Sequence, residues 1–477
     1  MGRRKKRIQF LVGTERDVVA GQMNWKGRFV TQMEEGRALV SGAYPGFPCR
    51  VEFGRTRKKD IKARVVEYIN KPAYATDPLC DQFNICGGCS LQHFNYEAQC
   101  KQKKDLFVRD NGLLVEKLSE VKDLKFHSAP ADFHYRNKME FSFIQHKGGE
   151  KSLGLHEQGR FQSVLSLETC WIQHPWMDKV FKLVSSWFES SNISGYNPWS
   201  HDGILRHLVL RGSSDQKQVL VNLVVTRSVD QLKYLYDSLL SLPEVAGVYE
   251  TIHAGVADAV KYDSIRHLGG KLALREKVGH CLFDVGPRSF YQTNSEGMFV
   301  LYDAIENLLL KSVLPGLNSG QPKLLDLYCG AGSIGIFLSR HFTQVLGIEE
   351  VEEAVELAKT NARLNSVNNL KVFQGQVEHS QELLKLMDGT DVLIVDPPRS
   401  GCHPKARQWI RQLKIPWLIY VSCNPKTLQE NIRDFMGLDQ DSKLSGKYEL
   451  MDMELVDLFP QTPHLESISL LRLRDET

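Results

Sequence analysis

Lys323-Leu-Leu-Asp-Leu-Tyr-Cys-Gly-Ala-Gly-Ser-Ile-Gly335 joins an apolar strand (Lys323–Tyr328) to three glycines spaced G-x-G-x-x-G, and a helix over Ser333–Phe342 is expected to follow. Glycines at this spacing allow a tight turn and bring backbone close to a ligand at a helix N-terminus. Downstream the alternation continues, with a strand Val345–Ile348 ending at Glu349, a helix Glu352–Leu364, and strands Leu370–Phe373 and Val392–Val395. The last of these runs into Asp396-Pro-Pro-Arg-Ser-Gly401. A fifth strand, Trp417–Val421, stops at Ser422-Cys-Asn-Pro425 before a helix over Lys426–Met436. Two more strands, Leu455–Phe459 and Ser467–Leu473, are joined by Pro460-Gln-Thr-Pro-His-Leu-Glu466. Such alternation gives an α/β fold, a parallel sheet with helices on both faces, whose ligands bind at the carboxyl ends of the strands.

The glycine loop alone fits a nicotinamide enzyme and an S-adenosylmethionine (SAM) enzyme equally, because both bind ribose hydroxyls with an acid placed like Glu349. Two features favour SAM. Asp326 lies inside the strand, where a dinucleotide strand is usually apolar, and Asp396-Pro-Pro ends strand four, as in methyltransferases that seat a planar amine or base. Hydride transfer also leaves Cys423 without a role. Asn424 is a favoured N-cap and Pro425 a favoured first helical residue, so Cys423 is expected beside a helix N-terminus, where partial positive charge favours the nucleophilic thiolate.

Working back toward the amino terminus, Cys80-Asp-Gln-Phe-Asn-Ile-Cys86-Gly-Gly-Cys89 is a C-x5-C-x2-C run whose glycines let the chain curl so that the sulfurs converge. Cys170 is the best fourth ligand, and soft thiolates suit zinc or an iron–sulfur cluster. Between this run and about Arg288, β-like and helical segments alternate in one α+β domain. Residues 1–71 hold 17 Lys and Arg against 7 Asp and Glu, and the rest of the chain 43 against 50. Their short strands and turns, such as Gly46-Phe-Pro48, suggest a small basic β-barrel, with Arg55, Arg57, Lys58 and Lys59 facing a polyanion. No apolar run reaches the ~18 residues of a membrane span. Ile8–Val12 is too short for a signal-peptide core, so the ten cysteines are expected in a cytoplasmic setting, unbridged.

Taken together these motifs resemble the RNA uracil-5-methyltransferase family, nearest its iron–sulfur-containing 23S rRNA members. The match runs through Cys80, Cys86, Cys89 and Cys170, Ser289-Phe-Tyr-Gln-Thr-Asn294, Asp326-Leu-Tyr-Cys-Gly330, Asp396-Pro-Pro-Arg399, Ser422-Cys-Asn-Pro425 and Pro463-His-Leu-Glu466. It implies a TRAM/OB-like RNA-binding domain at 1–71, a central α+β domain at 72–288 and a Rossmann-like class I methyltransferase domain at 289–477. The four cysteines would hold a 4Fe-4S cluster. Gln292, Tyr328, Glu349 and Asp396 would contact SAM or the target base, as would Ser333 and Gln376, which stand where relatives often carry Asn. Arg136 would lie near the target uridine, Cys423 would be the nucleophile and Glu466 the base. RNA is the implied partner, rRNA ahead of tRNA, with no membrane and a monomeric protein. RNA cytosine-5 methylation uses similar covalent logic but places a second cysteine directly after Asp-Pro-Pro; here Arg399 holds that place and Cys402 comes three residues later. A non-catalytic RNA-binding protein would have no need of the intact set of Cys423, Glu466, Asp396 and glycine loop.

Overall fold

Short runs of half-buried residues build the first sheet. The computed structural model describes residues 12–57, 60–119, 124–146, 148–256, 263–317, 320–379, 388–438 and 447–474. Strands β1 (Glu15–Val19), β2 (Phe29–Met33), β3 (Gly36–Ser41), β4 (Pro48–Arg57) and β5 (Asp60–Tyr68) lie in the order β1-β4-β5-β3-β2. Only β3 and β5 run parallel. Phe29, Val40, Val51 and Phe53 fill its core, and Phe94 stacks on Phe29 at 5.9 Å. The turn read at Gly46 is present, with the Phe47 N–H on the Tyr44 carbonyl and Gly46 at φ +82°. Residues 1–7, the side chains of Arg55 and Arg57, and Lys58 and Lys59 lie outside the described residues.

Helices α1 (Tyr96–Asp110) and α2 (Gly112–Ser119) and strand β6 (Lys125–His127) follow. The sequence groups them with the central domain, but they pack elsewhere. β6 pairs with Glu454–Val456, and Phe107, Leu114 and Leu118 are buried in the carboxy-terminal core. An amphipathic helix advertises an apolar stripe, not the identity of its partner.

The central sheet holds β7 (Lys138–Gln145), β8 (Lys151–Glu157), β9 (Arg160–Ser166), β10 (Leu205–Ser213), β11 (Gln218–Val225), β12 (Val245–Ile252) and β13 (Ser264–Gly270), in the order β13-β12-β11-β10-β7-β8-β9. Helices α3 (Pro175–Ser190) and α4 (Lys233–Leu240) cover it. In α3, Met177, Val180, Phe181, Val184 and Phe188 form one buried stripe at helical spacing. A hairpin, β14 (Leu274–Val278) and β15 (Cys281–Val285), leads to α5 (Ser295–Leu308).

The last third carries β16 (Lys323–Leu327), α6 (Ser333–Leu338), β17 (Gln344–Glu349), α7 (Glu352–Leu364), β18 (Leu370–Gln374), β19 (Val392–Val395), α8 (Pro404–Leu413), β20 (Trp417–Ser422), α9 (Pro425–Phe435), β21 (Tyr448–Val456) and β22 (Glu466–Leu473). With β6 at one edge, the eight strands lie in the order β18-β17-β16-β19-β20-β22-β21-β6. Alternate residues face opposite cores: Leu324, Ile394, Ile419 and Val421 on one side, Leu325, Leu393, Leu418 and Tyr420 on the other. The expectation of a wholly parallel sheet needs correction, because β22 is antiparallel to both neighbours. A short connection such as 457–465 returns a strand antiparallel, whereas a parallel return needs a long crossover. β21 ends at Val456, before Phe459, where Asp457 enters a fully buried ion pair with Lys103 at 2.7 Å.

Candidate active site

Strand register alone brings Cys423 and Glu466 to one edge of the sheet. In the β20–β22 pair the last partners are Ser422 and Ser467, so Cys423, one step beyond, stands at the same edge as Glu466, one step before. On the other flank of β20, Val395 pairs with Tyr420, and Asp396 leaves β19 at that edge. Asn424 caps α9, its side-chain oxygen accepting from the Lys426 N–H at 3.2 Å, and its amide donates to the Arg399 carbonyl at 2.9 Å. One Asn therefore clasps the Cys423 turn to the Asp396-Pro-Pro-Arg399 turn.

The glycine loop completes the same edge. Gly332 is left-handed (φ +73°) as the N-cap of α6, and a side chain there would press on Ala358. Gly335 donates its N–H to Asp326 Oδ2 at 3.1 Å, and a Cβ at Gly335 would lie 3.0 Å from that oxygen. Glu349 accepts the Gly330 N–H on Oε2 (3.0 Å) and the Val351 N–H on Oε1 (2.9 Å), fixing the loop to the end of β17.

A cavity of about 1350 Å³ is lined by Arg136, Gln292, Tyr328, Glu349, Gln376, Asp396, Cys423 and Glu466. Ser333 does not line it; its hydroxyl bonds the Tyr302 hydroxyl at 2.7 Å instead. Gln376 reaches the wall with both ends engaged, donating to Glu350 Oε1 (2.6 Å) and bonded through Oε1 to His379 (2.8 Å). Arg136 donates from Nε to the Lys138 carbonyl at 2.9 Å. The cavity also takes in Phe290, Arg399 and His464, to which the sequence assigned no role.

Burial and charge set the protonation states. Burial drives Glu466 well above the usual carboxylate range, and nearby Asp396 pushes it further; Arg399 opposes both. Burial alone raises Asp396 to about 6. Asp326 rises to about 8, first through burial and then through Asp396, against the Gly335 N–H that favours its charged form. The Cys423 thiol is pushed up to about 11, by burial first and the Glu466 carboxylate second, while Arg399 acts to lower it. The helix N-terminus that favours the Cys423 thiolate is thus opposed by burial, and desolvation outweighs a partial charge. Burial lowers His464 to about 4, with Arg399, Lys103 and Arg136 adding to the effect, so this imidazole is neutral at neutral pH.

The connection from β21 to β22, which delivers Glu466, is gripped from several sides. The Ser90 and Leu91 N–H groups both donate to the Gln461 carbonyl, at 2.8 and 3.1 Å. Gln99 and Gln461 exchange two bonds of 2.9 Å, and Tyr135 donates to the Pro460 carbonyl at 2.9 Å. Gln461 itself is left-handed (φ +66°). Ser90 directly follows Cys89, so the cysteine turn abuts this loop.

Cys80, Cys86, Cys89 and Cys170 line a second, much smaller cavity of about 30 Å³. Among the described residues no group of three or more His, Cys, Asp and Glu is placed to grip a single metal ion. The donor chemistry nevertheless suits thiolate ligands. The Gly88 N–H donates to Cys86 Sγ at 3.4 Å, and Gln82, Gln92, and Ile172 with Gln173 act to lower the Cys80, Cys89 and Cys170 thiols against the effect of burial. Burial raises the Cys89 thiol to about 12 and that of Cys170 to about 11.

This arrangement has counterparts among known proteins. A family profile described as tRNA (Uracil-5-)-methyltransferase matches residues 265–474. A Clostridium tetani protein named uncharacterized RNA methyltransferase is 30% identical, across 97% of this chain and 98% of its own length. One so named from Caldanaerobacter subterraneus is 33% identical, across 94% and 97%. The crystal structure of Pyrococcus abyssi tRNA (uracil-54, C5)-methyltransferase, in complex with S-adenosyl-L-homocysteine, superposes with a TM-score of 0.75 at 25% identity, covering 95% of this chain and 99% of that one. The eight-stranded sheet is thus that of a class I SAM-dependent methyltransferase, and the chain belongs to the RNA uracil-5-methyltransferase family.

Proposed function

We propose that this chain methylates C5 of a uridine in RNA, with Cys423 adding to C6 of the base and Glu466 removing the C5 proton. The observation that carries this reading is the placement of Cys423, Glu466 and Asp396 with the glycine loop around one cavity. C5 of uracil is too weak a nucleophile to take a methyl group unaided. After its proton is lost to water, the Cys423 thiolate adds to C6 and places an electron pair on C5, which attacks the methyl carbon of SAM as S-adenosylhomocysteine leaves. Glu466 then accepts the proton from C5, and the electron pair re-forms the C5–C6 bond and expels the sulfur. Asp396, ionised above about pH 6, would accept from N3–H and orient the ring. Glu349 and Gln376 would bound the SAM side, Gln292 and Arg136 the base side. The base must be unstacked to enter such a cavity.

The convergence of Cys80, Cys86, Cys89 and Cys170 on one small cavity, with the Gly88 N–H donated to Cys86 Sγ, supports a 4Fe-4S site there. A cluster there would hold the turn after Cys86 rigid. The strand order of the first sheet, with parallel β3 and β5, supports the TRAM/OB-like reading of residues 1–71. Among RNAs, 23S rRNA is placed first on the resemblance to the cluster-bearing rRNA enzymes. tRNA is the second reading, favoured by the likeness to the Pyrococcus abyssi tRNA (uracil-54, C5)-methyltransferase. Mapping 5-methyluridine in total RNA from cells with and without this chain tests both. Loss of a 23S site supports the first, loss of a tRNA site supports the second, and an unchanged map in both RNAs overturns the proposed activity.

A further inference from the structure

The basic amino-terminal module neutralises most of its described arginines internally. Arg16 pairs with Glu35, Arg37 with Asp60, Arg50 with Asp17 and Glu67, and Arg64 with Glu52, all at 2.6–2.9 Å. Lys26 and Arg28 differ: among the described residues neither side chain has an acidic partner. They flank Gly27 in the turn before β2. The Asn24 side chain holds this turn by accepting the Lys26 and Arg28 N–H groups at 2.9 and 3.2 Å.

The turn sits at a junction. Gly27, left-handed at φ +65°, lies against the Ser90 side chain and the Pro463 ring, so closely that a Cβ would collide with Ser90 Oγ. Trp25 packs on both the amino-terminal and the carboxy-terminal cores, and its Nε1 donates to Asp110 at 2.8 Å. Pro463 directly precedes His464, which lines the large cavity together with Arg136 and Arg399. Lys26 and Arg28 therefore stand beside the loop that delivers Glu466, on the side where the amino-terminal module meets it. Arg28 is half-buried, and burial lowers its guanidinium to about 10, as expected of a cation without a counter-charge.

We infer that Arg28 and Lys26 hold the phosphate backbone of the RNA next to the nucleotide that enters the cavity. The unpaired turn, more than the self-paired strand arginines, is then the module's working contact with RNA. Single-stranded RNA carries an anion at every nucleotide, and a guanidinium fork matches phosphate oxygens. The inference rests on the reading of RNA as substrate.

The test is filter binding of the full-length protein to labelled total RNA from cells lacking the chain, across a series of salt concentrations. Arg28→Gln should weaken binding about tenfold and make log affinity against log salt shallower by about 0.7, the loss of one single-strand phosphate contact. Lys26→Gln, at an exposed turn position and so safe for folding, should act in the same direction. Arg37→Gln, which removes a self-paired cation, should leave affinity and slope unchanged, and SAM binding should be intact in all three. Wild-type affinity and slope in both Arg28→Gln and Lys26→Gln would overturn the inference, as would Arg37→Gln matching Arg28→Gln. Failure of the wild-type chain to bind the RNA at all would instead overturn the proposed function.

Discussion

Arg399, among the described residues, is the cation that acts to lower both Cys423 and Glu466, and it does so from the turn directly after Asp396-Pro-Pro. Both groups must be deprotonated to work as nucleophile and base, and both are raised above their ordinary values, so activity should climb as pH rises toward the alkaline range. Removing Arg399 raises both groups further. Arg399→Gln is therefore expected to move the rising limb of the pH–rate profile to higher pH by roughly one unit, the usual size of a neighbouring-charge effect, with Arg399→Lys intermediate. A limb that stays in place would show that Arg399 does not set the protonation of the site. Cys423, Glu466 and Asp396 were legible in the sequence because each falls in a short motif at a strand end. Arg399 was visible only as the residue standing where a cytosine enzyme has cysteine, since its influence depends on neighbours far along the chain. The setting of Ser333 was hidden for a similar reason: its hydroxyl bonds Tyr302, 31 residues earlier, and no local pattern announces that.

At the scale of elements, the connection 457–465 matters most, because it aims Glu466 and is held by residues from much earlier in the chain. Lys103 and Asp457 form its buried anchor at 2.7 Å, and Lys103 also donates to the Phe459 carbonyl at 3.0 Å. Taking one partner from a fully buried pair costs about 3–5 kcal/mol. Lys103→Ala should lose about that much in urea unfolding, and a loss below about 1 kcal/mol would argue that the pair is not buried in solution. The cysteine turn is the second anchor, through Ser90 and Leu91. Anaerobically purified protein should be brown with about four irons per chain, the content of a 4Fe-4S cluster bound by four thiolates. Cys89→Ser should lose the iron and speed amide exchange in 457–466 while sparing 323–335. Stoichiometric zinc without iron would remove the cluster from the account. Helix α7 coincides with its sequence reading because its buried residues recur at helical spacing, and strand β19 because it is an unbroken apolar run. β1, whose residues are mostly exposed, carries too little burial pattern to be read. The reversed β22 is mostly buried, like the parallel strands β19 and β20 of the same sheet, so only its short connection betrays its direction.

Across the whole molecule, three parts of the chain meet where the chemistry is proposed. The amino-terminal sheet contributes the turn at Gly27, the central segment contributes Arg136 and the cysteine turn, and the carboxy-terminal sheet contributes the cavity edge. The methyltransferase sheet was legible from the glycine loop outward, whereas the docking of α1, α2 and β6 onto it was not, because that contact joins surfaces far apart in sequence. The convergence has a purpose if the RNA is held covalently during the reaction, and that is the central claim. Its most direct test is denaturing electrophoresis of Glu466→Gln mixed with SAM and total RNA from cells lacking the chain. With addition and methyl transfer intact but proton removal blocked, a slow-migrating protein–RNA band should accumulate, and it should vanish in the double variant with Cys423→Ala. Normal turnover by Glu466→Gln without a band, or methylation by Cys423→Ala, would contradict the account.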